Sequence, residues 1–132
     1  QTSSKLDKSK RLLQIYNRLH EIIKDYSIDC ASVEKLFFAK NVKTALIVSE
    51  ARGVIYLTLE MFNIPTFEYT PLQVKQSLIG YGRGTKDQIK ELVKIILKLK
   101  EPPKSDDVAD GIALGITHIN TQRSFSKMKL SQ

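Results

Sequence analysis

The chain has 132 residues, with a single cysteine and no tryptophan. One cysteine excludes an intramolecular disulfide framework and a cysteine-based zinc site. Long hydrophobic runs are missing as well: the apolar stretches are short and broken by charge, so none has the length of a membrane span. The opening residues, Gln1-Thr2-Ser3-Ser4-Lys5, lack the pattern of a secretory signal. Repeats and low-complexity tracts are lacking too. These absences set the expectation of a cytoplasmic protein with no membrane contact. The composition is 42% hydrophobic and 27% charged, which is globular rather than disordered. The length suits one domain, expected over 1–120, with 121–132 as a basic flexible tail.

The net charge of +7 is unevenly spread. Residues 71–104 carry +5, whereas 105–132 carry zero, with the acids Asp106, Asp107 and Asp110 first and the bases Arg123, Lys127 and Lys129 last. A basic surface around a small acidic cluster suits a polyanion handled at a metal-dependent site. On charge alone, solvated lysine-rich helices are an equal alternative.

Apolar spacing predicts a helix over Leu12–Tyr26, a short strand over Ser27–Val33, and a helix over Val42–Phe62 that is apolar on more than one face. Such a helix is covered by the core and by a second surface, as in a subunit contact. Asn63-Ile64-Pro65 ends it, and Thr66–Tyr69 reads as a second strand. Strand, crossover helix, strand is a right-handed unit with parallel strands. Pro71 opens a helix to about Leu78, and Gly80–Gly84 makes a glycine-rich turn. Thr85 caps a helix to Leu99, stopped before Pro102-Pro103. A last helix from Asp107 to Ile119 is rich in Ala109, Gly111, Ala113 and Gly115, small residues that let it lie against a sheet. Five helices against two strands leave the layers unbalanced, which predicts further strands upstream of Gln1.

Glu34 falls at the C-terminal end of the first strand, where open parallel sheets place their ligands. Asp107 and Asp110 are three apart at a helix start and share one face. Oxygen donors of this kind suit Mg²⁺. Two such ions about 4 Å apart support phosphodiester hydrolysis. Read blandly, Glu34 is a surface acid and the aspartates favour a helix N-terminus. The glycine turn lacks a GK[ST] sequence, so it fits a DNA phosphate better than a nucleotide. Cys30 reads as buried and inert, His118 as a packed core histidine, and His20 has no partner visible in the sequence.

Several blocks together carry a resemblance. Val33-Glu34-Lys35-Leu36-Phe37-Phe38-Ala39-Lys40-Asn41 is followed by Ser49-Glu50-Ala51-Arg52-Gly53, then by Phe67-Glu68-Tyr69-Thr70-Pro71 with Gln73-Val74-Lys75-Gln76. Gly80-Tyr81-Gly82 with Lys86 comes next, and Asp107-Val108-Ala109-Asp110-Gly111-Ile112-Ala113 with Ile116-Thr117-His118 closes the set. In this order and spacing, from about Leu6 to His118, the chain resembles the RuvC family of Holliday-junction resolvases.

The resemblance implies an α/β, RNase H-like fold, a mixed sheet flanked by helices. It implies Mg²⁺-dependent paired nicking of four-way DNA junctions in recombination and repair, with two ions. It implies a homodimer through the helix 42–62 and a branch-migration helicase as partner. Carried over, Glu34, Asp107 and Asp110 are catalytic metal ligands; Phe37, Lys75, Arg83 and Lys86 are DNA contacts. Phe37 and Phe38 are adjacent, and one of them is expected in the core. The family's opening strand and its first catalytic aspartate have no match here, in keeping with the strands expected upstream. Two other readings stand beside this one: a non-catalytic junction-binding module, and an RNase H-like nuclease on other structured nucleic acid.

Overall fold

The computed structural model describes residues 7–35, 41–80 and 84–130. In chain order these form α1 (Lys8–Asp25), β1 (Ala31–Glu34), α2 (Val42–Met61), β2 (Thr66–Tyr69), α3 (Pro71–Ile79), α4 (Lys86–Ile96) and α5 (Asp106–Leu130). Among the described residues the sheet has two strands, β1 beside β2. The Ala31 N–H donates to Pro65 O (2.9 Å) and the Lys35 N–H to Tyr69 O (2.8 Å). Both bonds join residues at one sequence offset, so the strands run parallel, as the crossover helix requires. The strand begins at Ala31 rather than at Ser27. Its partner is led by Pro65, which has no N–H to extend the ladder upstream.

The chain divides into two compact units. The described part of the first covers 7–31 and 41–66. In it α1 packs on α2, and His20, without a visible partner in the sequence, lies between the tilted ring of Tyr16 (5.7 Å) and the edge-on ring of Phe62 (5.3 Å). Asn41 caps α2 by accepting from the Lys43 and Thr44 amides. The helix stops because Asn63 takes φ 55. Its amide then donates to Glu60 O, and the Ile64 amide to Leu59 O. This is a Schellman closure, and the buried Ile64 and Leu59 supply its hydrophobic contact. Elsewhere α2 is open: Val42, Leu46, Leu57 and Met61, one stripe at helical spacing, are exposed. Cys30 is half-buried rather than buried.

The second unit covers 32–35, 67–80 and 84–130 among the described residues. Here α3, α4 and α5 pack on one another around a core of Tyr69, Val74, Ile89, Val93, Ala113 and Ile116. Both α3 and α4 open with capping boxes, Thr70 with Gln73 and Thr85 with Gln88. Each box satisfies two orphan helix amides and fixes where the helix starts. The C-cap of α3 is Gly80, at φ 76 and ψ −142, a conformation that glycine alone adopts without strain.

Two helix ends differ from the sequence expectation. The helix α4 stops at Ile96, not Leu99, because Lys98 turns to φ 52. The Lys98 and Leu99 amides then close on Ile95 O and Lys94 O, so the terminus precedes the prolines. The helix α5 continues past Ile119 to Leu130, through the stretch expected as an irregular tail. Residues 116–130 contain neither glycine nor proline to end it, and Thr121, Ser124 and Ser126 return their hydroxyls to carbonyls one turn back. The small residues of α5 also divide in role. Ala109 and Ala113 are buried, but an added Cβ at Gly111 or Gly115 would meet nothing within 4 Å.

Candidate active site

Four elements of the second unit converge on one cavity of about 220 Å³. Glu34, the last residue of β1, is held at its rim by the parallel ladder, which continues through the next amide into Tyr69 O. Asp110 enters from the second turn of α5, Lys75 from α3, and Lys86 from the first position of α4. Val74, Ile89 and Leu114 make the apolar part of the lining. Gly84 lies in the wall, where an added Cβ would fall 2.0 Å from Ile79 Cδ1. The glycine thus lets the chain pass close over Ile79.

Of the residues expected at the site, the structure therefore brings Glu34, Asp110, Lys75 and Lys86 together. Asp107 is exposed and does not line the cavity. It lies one turn before Asp110 on the helix stripe that continues to Leu114. Among the described residues, no group of three or more His, Cys, Asp or Glu side chains is gathered to hold a metal ion. Of the three acids read from the sequence, Glu34 and Asp110 line the cavity and Asp107 lies nearby on the same helix as Asp110. Phe37 and Arg83 lie outside the described residues.

Charge beside the cavity is arranged by Asp106, which the sequence shows only as one member of the acidic cluster. Asp106 pairs with Lys90 Nζ at 2.5 Å and with Lys86 Nζ at 3.5 Å. The hydrogen bond from Lys90, then its charge, holds the Asp106 carboxyl below the usual carboxylate range, and Lys86 adds to this. In turn the hydrogen bond to Asp106 raises the Lys90 ammonium above its ordinary value. The three acids of 105–110 thus differ: Asp106 is occupied by lysines, Asp110 lines the cavity, and Asp107 does not. The spacing of Lys86 and Lys90, four apart on α4, puts both on one face, but only the packing of α4 against α5 makes Asp106 their partner.

The donor set at the cavity is all oxygen, one glutamate and one aspartate, and one or two carboxylates are what a hard divalent cation such as Mg²⁺ takes from protein while waters and phosphate complete its shell. Glu34 and Asp110 fit that ion. The lysines beside them suit a phosphate. A second, more apolar groove of about 380 Å³ between α1 and α2, edged by Lys8, Arg11 and Lys43, holds none of the predicted residues.

Carboxylates at a strand end and on a neighbouring helix, with lysines around them in an α/β frame, place the molecule in the RNase H-like class. A family model described as "Crossover junction endodeoxyribonuclease RuvC" matches residues 1–118. A protein of that name from Caldicellulosiruptor saccharolyticus is 53% identical over 124 residues, 94% of this chain and 75% of the relative. One from Petrotoga mobilis is 51% identical over 124 residues, 94% and 76%. Among solved structures, T. thermophilus RuvC in complex with Holliday junction substrate superposes with TM-score 0.86 at 28% identity, covering 94% of this chain and 76% of that one. The chain belongs to the RuvC family.

Proposed function

We propose that this chain is an endonuclease that resolves four-way DNA junctions by paired nicks, with Mg²⁺ held by Glu34 and Asp110 and completed by Asp107. The observation that carries the reading is the meeting of Glu34, Asp110, Lys75 and Lys86 around one cavity, in a member of a crossover-junction nuclease family. The similar solved structure holds a Holliday junction, and a junction is the substrate we assign here. Bound Mg²⁺ supplies a lowered pKa for the attacking water and charge stabilisation at the leaving oxygen.

The protein residues have separate tasks. Glu34 and Asp110, carried on a strand end and a helix, are the oxygen donors that hold the reacting phosphate's counter-charge in place. Lys75 and Lys86 neutralise the phosphate backbone on either side. Phe37 and Arg83 complete the DNA contacts in this reading. Junction selectivity comes from shape, read by two copies joined through α2, whose exposed stripe of Val42, Leu46, Leu57 and Met61 is an apolar face of the kind a partner covers. Among the described residues no helix is long and apolar enough to cross a membrane, and we place the protein with its DNA substrate in the cytoplasm.

The test is one gel series. A labelled four-way junction and a matched linear duplex are incubated with the full-length protein and with its Asp110→Asn and Asp107→Asn variants, in Mg²⁺ and in EDTA. Wild type is expected to nick the junction symmetrically, and only with Mg²⁺. Each variant is expected to lose about 100-fold or more of the nicking rate, since outer-shell partners alone are worth about 10–100-fold, while still shifting the junction. Unchanged nicking by Asp110→Asn would overturn the metal assignment. Equal binding of duplex and junction would overturn the substrate.

A further inference from the structure

Tyr69 does not line the cavity, yet it joins the two elements that carry the carboxylates. It is the last residue of β2 and is 7% exposed. Its carbonyl accepts from the Lys35 amide at 2.8 Å, at the residue directly after Glu34. Its hydroxyl shares a 2.7 Å hydrogen bond with Nδ1 of His118 on α5. His118 is itself buried, and the Phe67 ring, two residues back on β2, lies against it at 4.4 Å. One side of Tyr69 therefore holds Lys35, the residue after Glu34, and the other ends on the helix that bears Asp110.

The separation along α5 makes this tie useful. His118 follows Asp110 by eight residues, just over two turns, or about 12 Å at 1.5 Å per residue. A helix resting on apolar contacts alone can shift along or about its axis at modest cost, because burial is not directional. A buried hydrogen bond resists that movement, since breaking it leaves polar atoms without water or partner. The bond from Asn120 to Ser77 (3.1 Å) steadies α5 against α3, and the Tyr69 hydroxyl ties α5 by a buried hydrogen bond to the strand pair that carries Glu34.

We propose that Tyr69, through His118, is a positioning residue that sets the spacing of Glu34 and Asp110 for a divalent cation. The inference rests on the site reading given above. The positioning role belongs to the hydroxyl and not to the ring, which only fills the core. Replacing the hydroxyl is thus distinct from thinning the core elsewhere, and the Nδ1 position of His118 can be kept by asparagine and lost with leucine.

The experiment measures Mn²⁺ binding to the full chain by electron paramagnetic resonance of the free ion, without DNA, well below each variant's melting temperature. Folding is checked by far-UV circular dichroism. The variants are Asp110→Asn, Tyr69→Phe, His118→Leu, the double variant of these last two, His118→Asn and Val93→Ala, the last a core truncation outside the tie. Asp110→Asn is expected to abolish binding. Tyr69→Phe and His118→Leu should each weaken it about tenfold, the lower end for residues that orient ligands, and the double variant should be no worse than the weaker single. His118→Asn should stay within about twofold of wild type, and Val93→Ala should lower the melting temperature without moving the affinity. Wild-type affinity in Tyr69→Phe, or a shift in Val93→Ala as large as in Tyr69→Phe, would overturn the tie and leave the site reading standing. Should Tyr69→Phe fail to fold, wild-type affinity in His118→Leu would overturn it in the same way. Absence of Mn²⁺ binding in the wild type, or its survival in Asp110→Asn, would overturn the site reading and this inference with it.

Discussion

Lys98 and Asn63 hold the same place at the ends of two helices, and both have positive φ, 52 and 55. Asparagine tolerates that conformation through local hydrogen bonding, whereas lysine bears the full Cβ clash, about 1–2 kcal/mol. The difference explains why one helix end was readable and the other was not. Asn63 before Pro65 is a recognisable stop, and α2 ends within one residue of its expected terminus. Lys98 gives no such sign, and Pro102-Pro103 are the first stop that the sequence shows there. Lys98→Gly should raise stability by about 0.5–1 kcal/mol, the relief of the clash less glycine's extra freedom in the unfolded chain. Urea unfolding with an unchanged slope would read it; a loss of stability would show that the lysine side chain does something here beyond tolerating the turn. At the same scale, Glu34 and Asp110 were legible because strand-end and helix-start acids follow from pattern alone. Asp106 was not, because its two lysines come from another helix.

At the scale of elements, the lysine pairs of Asp106 fasten the start of α5 to α4. The acid limb of stability follows from the direction of the shift. The Asp106 carboxyl is held below its ordinary value of 3.8, first by the Lys90 hydrogen bond. A depressed carboxylate contributes stability above its unfolded pKa and loses it as pH falls through the lower folded value. Lys90, raised above 10.5, contributes below that value and loses its share as pH rises through the folded one. Asp106→Asn should therefore melt below wild type near neutral pH, with the gap closing from about pH 4 downward. Thermal melts across that range decide it, and a gap that persists at about pH 2 would place the effect in packing instead. Because the pair is accessible to solvent, high salt should narrow the gap as well. The helix boundaries themselves were largely legible: Pro71 and Thr85 marked two starts, and the capping boxes with Gln73 and Gln88 add a signal that the sequence also held.

For the molecule as a whole, the open stripe of α2 bears on assembly. Leu57 and Met61 expose more than half of their surface, as do Val42 and Leu46 on the same stripe. Exposed apolar residues are common singly, and several on one side of a helix make a surface on which self-association can be tested. If two copies meet there, Leu57→Glu should weaken self-association at least about tenfold, as a charge buried without a partner costs more than 1.4 kcal/mol. Sedimentation velocity over a concentration series reads this directly. Association equal to wild type would move the contact elsewhere. The secondary structure of the variant should hold, since glutamate is a good helix former.

Much of this protein was set by local pattern. The parallel strand pair and the crossover helix follow from spacing, caps and residue type, which act over a few neighbours; Glu34 and Asp110 stand out by position in the same way, whereas Lys75 and Lys86 are singled out only by the family resemblance. Only the tertiary structure decided which of the three aspartates of 105–110 lines the cavity, which is taken by lysines, and which side chain of β2 holds α5. Those outcomes depend on which helix packs beside which, and contacts between residues some 15 to 50 positions apart leave no period in the sequence to read.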